Sequence, residues 1–84
     1  MRYFKQYFGK TERKEITYDE ALFTLLGKWK DCDLTRDLLT IPNRIQCGFS
    51  YVEVEDDKGN RVVDGVYNML PMNVYYDDNG QRLN

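Results

Sequence analysis

The stretch IQCGFSYVEV, residues 45–54, decides the fold of this 84-residue chain. Apolar and polar side chains alternate from Ile45 to Tyr51, and this period of two is typical of a β-strand. Val52 and Val54 then continue the apolar positions in the opposite phase. We interpret this slip as a β-bulge, or as a strand that is buried on each side in turn.

Turn signals mark further strands on both sides of this stretch. Residues 9–12 separate two short segments that would pair as a hairpin, and residues 56–60 form a turn-rich cluster after the central strand. Asn79 with Gly80 is the strongest two-residue hairpin signal in the chain. The predicted strands outside the central stretch are residues 2–8, 13–16, 61–67, 74–76 and 81–83.

The segment between the first hairpin and the central strand has helical spacing. Thr17 lies three residues before Glu20, which is the capping-box pattern, so the first helix should begin there. A second, shorter helix should begin with Asp33 as its N-cap and end before Ile41, because Pro42 disfavours a helical residue ahead of it. The apolar stripe of the first helix comprises Ala21, Leu22, Leu25, Leu26 and Trp29.

Strands that cluster, rather than alternate with helices, predict an α+β fold. We expect two layers. A largely antiparallel sheet, made of the N-terminal hairpin and a C-terminal meander, would carry one long and one short helix on one face. The chain is too short for two independent cores, so we expect a single small α+β domain over residues 1–84.

The composition excludes several classes of function. The chain has no histidine, which excludes histidine bases and histidine-containing zinc sites. Cys32 and Cys47 fit neither a zinc site nor a disulfide scaffold, so we expect two reduced thiols. A phosphate-binding glycine loop is absent, and Glu53 with Glu55 would lack the deep cleft that a glycosidase needs. We predict that the protein is not an enzyme and has no cofactor and no metal.

Apolar runs along the chain are short. The longest has only three residues, far fewer than the roughly 20 that cross a bilayer. We therefore expect no contact with a membrane and a cytoplasmic location.

Charge is unevenly distributed along the chain. Residues 1–30 hold seven Lys or Arg against four acids, and residues 31–84 hold five against ten. Acids near the central strand would give a negative surface, and tyrosines supply apolar area and a hydroxyl for an interface. Our leading hypothesis is a non-enzymatic protein-interaction module that docks on a protein partner with a basic surface. Its contact residues would be Glu53, Glu55, Asp56, Asp57, Tyr51 and Tyr67.

Small size and acidic charge suggest a biological setting for such a module. We expect an accessory or inhibitor protein of a phage or mobile element, for example one that blocks a nucleic-acid-binding host defence protein.

The alternative hypothesis uses the basic N-terminal hairpin. Basic residues there are interleaved with Tyr3, Phe4, Tyr7 and Phe8, a pattern found in proteins that bind single-stranded nucleic acid. The net charge of −2 argues against a dedicated nucleic-acid binder, so such binding would be weak. The residues that would carry it are Arg2, Lys5, Lys10, Arg13 and Lys14.

Overall fold

The structure, a computed structural model, describes residues 1–60 and 74–83. It confirms the α+β class, with an antiparallel sheet and two helices. The elements in chain order are β1 (Arg2–Tyr7), β2 (Lys14–Ile16), α1 (Tyr18–Leu26), α2 (Asp33–Asp37), β3 (Asn43–Cys47) and β4 (Ser50–Glu55). The strand predicted at residues 61–67 lies outside the described residues. Within the described part of the chain, no helix combines the length and apolar character needed to cross a membrane.

The four strands form one sheet in the order β2-β1-β4-β3, with every neighbouring pair antiparallel. The N-terminal hairpin therefore pairs directly with β4. In this register Phe4 lies opposite Glu15 on one side and opposite Glu53 on the other. Residues directly opposite one another share a face of the sheet, so the register fixes which side chains of distant segments meet.

The prediction of a single central strand at residues 45–54 is wrong. The chain reverses at Gly48 and Phe49, and Cys47 pairs with Ser50 across this two-residue hairpin turn. Gly48 has φ 67°, a conformation that glycine adopts without steric cost and that such turns require. The phase slip in the sequence is therefore a turn between β3 and β4, and not a bulge.

One face of the sheet carries the apolar core. Ile45, Cys47, Val52 and Val54 are buried on this face, where residues from α1 and from the turn after α2 complete the cluster. The residues contributed by those segments are Ala21, Leu25, Leu38 and Leu39. Both cysteines, at positions 32 and 47, are buried free thiols.

Helix α1 begins as the sequence predicts. Thr17 is its N-cap: the backbone N–H of Glu20 donates to Thr17 Oγ1 at 3.2 Å, and Thr17 N donates to Glu20 Oε1 at 3.3 Å. The helix ends at Leu26, so Trp29 lies beyond it and not on its last turn. Trp29 is half-buried against the core, and its indole N–H donates to the carbonyl of Gln46 at 3.0 Å.

Helix α2 differs from the prediction at its start. Its N-cap is Cys32 and makes no side-chain capping bond, whereas Asp33 is the first helical residue. The carboxylate of Asp33 instead accepts a hydrogen bond from the backbone N–H of Arg82 at 2.8 Å. The C-terminal segment therefore uses the oxygen that the sequence pattern assigns to capping.

Residues 74–83 dock on α2. Of the strands predicted at residues 74–76 and 81–83, the described structure contains only an isolated bridge between Tyr76 and Arg82, outside the four-stranded sheet. The chain reverses over residues 77–81, with a bond from Asp77 N to the carbonyl of Gln81, and not through a two-residue turn at Asn79 and Gly80. The hydroxyl of Tyr76 and the guanidinium of Arg82 both donate to the carboxylate of Asp37, which is buried. The backbone N–H of Leu34 donates to the carbonyl of Gly80 at 2.9 Å. Asp37 is thus the anchor that joins this segment to the helix.

Replacing Thr17 with Ala should cost about 1 kcal/mol of unfolding free energy, because it removes the acceptor for the amide of Glu20. Thr24→Ala is the matched control: Thr24 Oγ1 only donates back to the carbonyl of Glu20, and Ala is the better helix former. Urea unfolding of the three proteins measures the difference. Equal losses for the two variants would contradict the capping role.

The stability contributed by Asp37 should depend on pH. Desolvation raises the pKa of this carboxyl, but hydrogen bonds from Arg82 and Tyr76 outweigh it and hold the pKa below its ordinary value of 3.8. A depressed pKa means stability that is present above the unfolded-state pKa and is lost as the pH falls through the folded-state pKa. The unfolding free-energy difference between wild type and Asp37→Asn should therefore shrink from about pH 7 to about pH 3. A constant or growing difference would contradict this.

Candidate functional site

The four acids predicted to form an exposed surface do not do so. Glu53 and Glu55 lie on β4, on the face of the sheet opposite the core, and are only 2% and 6% exposed. Asp56 is half-buried, and Asp57 is exposed. The structure therefore corrects the expectation of one solvated acidic surface: two of its four members are buried.

Arginines from the neighbouring strands pair with these buried carboxylates. The sheet register places Arg2 opposite Glu55 and Arg44 opposite Glu53. Arg13 Nη1 lies 3.1 Å from Glu55 Oε2, and Arg2 Nη1 lies 3.8 Å from Glu55 Oε1. Arg44 Nη2 lies 3.8 Å from Glu53 Oε1. Each buried carboxylate is thus neutralised by a cation from within the chain.

The same arginines cover aromatic rings. The guanidinium carbon of Arg13 lies 3.8 Å from the ring centroid of Phe4, and that of Arg2 lies 5.0 Å from it. Arg44 lies 5.0 Å from the ring centroid of Tyr51. Planar guanidinium groups stack well on aromatic faces while they donate to carboxylates. We call this surface the polar face; it consists of Arg2, Phe4, Arg13, Glu15, Arg44, Tyr51, Glu53 and Glu55.

Asp56 and Asp57 also have partners within the chain. The carboxylate of Asp56 accepts from the backbone N–H groups of Lys58 and Asn60, at 2.9 and 2.8 Å, and from the side-chain amide of Asn60 at 2.9 Å. These bonds, chiefly those from Asn60, lower the pKa of Asp56. Asp57 Oδ1 lies 2.9 Å from the N-terminal amine of Met1. Asp56 thus closes the loop of residues 56–60, whereas Asp57 makes an exposed ion pair, which contributes little to stability.

The two tyrosines of the predicted contact set have different outcomes. Tyr51 is half-buried on the polar face beneath Arg44. Tyr67 lies outside the described residues.

The predicted basic site is divided between the two faces of the sheet. Arg2 and Arg13 belong to the polar face. Lys5 lies opposite Lys14 on the other face, beside the core residue Val52. Lys10 lies in the turn between β1 and β2, and its backbone N–H donates to the carbonyl of Tyr7 at 3.1 Å. The three lysines remain together at one cleft; Arg13 borders the same cleft, but its guanidinium pairs with Glu55 on the polar face.

The lysines line an open cleft of about 680 Å³ at the N-terminal hairpin. Its other lining side chains include Tyr7, Arg13 and Glu20, and a smaller cleft against α1 adjoins it through Lys5 and Ile16. We call Lys5, Tyr7, Lys10 and Lys14 the lysine cleft.

Sequence reasoning missed a cluster of aromatic side chains at the turn end of the sheet. The ring of Phe8 lies 4.7 Å from that of Tyr51 and 6.5 Å from that of Phe49, measured between centroids. A backbone hydrogen bond of 3.0 Å from Phe8 N to the carbonyl of Phe49 ties the two segments together. Phe49 is 84% exposed. We call Phe8, Phe49 and Tyr51 the aromatic patch.

The signal for this patch was the glycine at position 48. Assigning residues 45–54 to one strand placed Phe49 inside it, whereas a Gly-Phe pair between two strands is a hairpin turn that presents its second residue to solvent.

Among residues 1–60 and 74–83, no group of His, Cys, Asp or Glu is arranged to hold a metal ion. Burial raises the pKa of Cys47 to about 11, so its thiol is protonated near neutral pH. The described surface carries an exposed aromatic patch and a separate lysine cleft.

Comparison of the chain with models of known protein families, with characterised proteins and with solved structures finds no match.

Proposed function

We propose that the chain is a non-enzymatic module that binds another protein through the aromatic patch. The observation that carries the proposal is the exposure of Phe49 in a fixed position. Its turn is closed by the pairing of Cys47 with Ser50, and its carbonyl accepts from Phe8 N. A large ring held in solvent contributes nothing to the core, but it provides ready contact area for a partner.

The aromatic composition of the patch is typical of binding hot spots in protein interfaces. Aromatic side chains dominate such hot spots because they bury a large area and lose few rotatable bonds. Phe8 supports Phe49 from the side and stacks on Tyr51, so the patch is ordered before a partner arrives. A preordered contact surface lowers the entropy lost on binding.

The aromatic patch lies apart from the buried acids of the predicted contact set. Glu53 and Glu55 pair with arginines of their own sheet, which leaves them unsuited to steering a basic partner. Of the predicted contact residues that the structure describes, Tyr51 alone lies in the aromatic patch. The attraction to the partner is therefore proposed to be mainly apolar.

Phe49→Ser, with Phe23→Ser as its control, tests the proposal. Phe23 is 82% exposed on α1, so the two variants remove the same group at nearly the same exposure from different surfaces. Each should change the unfolding free energy by about 0.5 kcal/mol or less, because surface substitutions seldom do more. Tagged wild type and both variants would be used to capture proteins from lysate, and separate proteins with a photo-crosslinking residue at position 49 or at position 23 would identify direct contacts.

We expect one discrete protein that crosslinks at position 49 but not at position 23, and whose capture is lost with Phe49→Ser and kept with Phe23→Ser. Capture that is equal for all three proteins would contradict the proposal. A crosslink at position 49 only to a second copy of this chain would also overturn it, in favour of self-association.

A further inference from the structure

We propose that the lysine cleft is a second binding site, which takes a short segment of single-stranded nucleic acid. It lies on the other face of the sheet from the polar face and is independent of the aromatic patch. The inference rests on three features of the cleft: three lysines that take part in none of the ion pairs among the described residues, an exposed ring beside them, and a turn that fixes the backbone of one of them.

The charge follows from the strand register. Lys5 on β1 and Lys14 on β2 lie directly opposite each other, so both side chains leave the same face of the sheet. Like charges at directly opposed positions destabilise a strand pair. Within residues 1–60 and 74–83, none of the ion pairs includes Lys5, Lys10 or Lys14. A bound anion would remove this repulsion.

The exposed ring belongs to Tyr7, which is 56% exposed beside the lysines. Lys5 Nζ lies 4.9 Å from the centroid of that ring. A nucleotide whose phosphate contacts Lys5 would therefore have its base within reach of the Tyr7 ring. Base stacking on aromatic rings, combined with basic groups along the backbone, is how proteins bind single strands without reading sequence.

The turn between β1 and β2 holds the third lysine at the rim of the cleft. Besides the bond from Lys10 N to Tyr7, the side-chain amide of Gln6 donates to the carbonyl of Lys10 at 2.8 Å. Gly9, at φ 77°, allows the tight reversal between Tyr7 and Lys10. The backbone that presents Lys10 is thus fixed against β1.

Other charged groups limit the size of the ligand. Glu12 and Glu20 also line the cleft, although the carboxylate of Glu20 already accepts from Thr17 N and Thr17 Oγ1. Arg13 lines the cleft as well, but its guanidinium pairs with Glu55 on the polar face. Three lysines against two glutamates favour contact with about two or three phosphates, and hence weak, salt-sensitive binding.

A single strand fits these features better than the other polyanions. In a duplex the bases are stacked within the helix and cannot stack on Tyr7. An acidic peptide would satisfy the lysines, but it would bring no flat group to the ring. The chemistry of the cleft therefore favours an unpaired nucleotide segment.

Fluorescence anisotropy with a fluorescein-labelled oligothymidylate of about eight nucleotides tests the inference. The double variant Lys5→Gln/Lys14→Gln should weaken binding about tenfold, since it removes two phosphate contacts. Lys30→Gln/Lys58→Gln is the control with the same change in net charge, and it should weaken binding far less. Equal weakening by the two double variants would show attraction without a site and would overturn the proposal.

Tyr7 variants separate stacking from charge. Tyr7→Leu should weaken binding roughly five- to tenfold, and Tyr7→Phe should restore it, because the ring and not the hydroxyl stacks on the base. Tyr7→Leu binding at wild-type affinity would overturn the proposal. So would competition by a hairpin duplex or a polyglutamate peptide that equals competition by unlabelled oligothymidylate, or the absence of any binding at low salt.

Phe49→Ser should leave oligothymidylate binding unchanged, because Phe49 does not line the cleft. A variant that no longer captures the protein but still binds oligothymidylate would therefore separate the two surfaces. So would a variant that no longer binds oligothymidylate but still captures the protein. Urea unfolding of each variant confirms that the folded protein is what is measured.

Discussion

The pairing of Glu55 with Arg13 and Arg2 is the interaction on which the sheet depends most. Glu55 is the last residue of a strand with neighbours on both sides, and it is buried. A buried carboxylate without a partner would be strongly destabilising. The chain places Arg2 directly opposite Glu55 on β1 and Arg13 just before β2, so that both cations reach the same carboxylate. Arg44 does the same for Glu53 from the other side of β4.

This pairing has a consequence for function. The sequence offers an acidic set and a basic set as alternative binding surfaces, and the fold joins Glu53, Glu55, Arg2 and Arg13 into one internally neutralised face. The charges that looked available to a partner therefore stabilise the sheet. We therefore propose the aromatic patch as the binding surface, together with the lysines that the register places on the other face.

Short-range patterns in the sequence predicted several elements of the structure correctly. The capping box at Thr17 and the N-terminal hairpin were confirmed because each depends on residues close together in the chain. The N-cap of α2 was missed because Asp33 bonds to Arg82, 49 positions away. The polar face was missed for the same reason: Arg2 and Glu55 lie opposite each other only once β1 has paired with β4. Residue types indicated where charge lies, and only the register showed that the charges pair.

A double-mutant cycle on Arg13 and Glu55, each changed to Gln, tests the pairing most directly. The loss of contact between Arg13 and Phe4 occurs in both backgrounds and cancels, so the cycle isolates the interaction with Glu55. The exposed pair of Arg36 with Asp31 serves as the control. The expected coupling energy is about 1 to 3 kcal/mol for Arg13 with Glu55, and below about 0.5 kcal/mol for the surface pair. A coupling for Arg13 with Glu55 no larger than that of the control would contradict it.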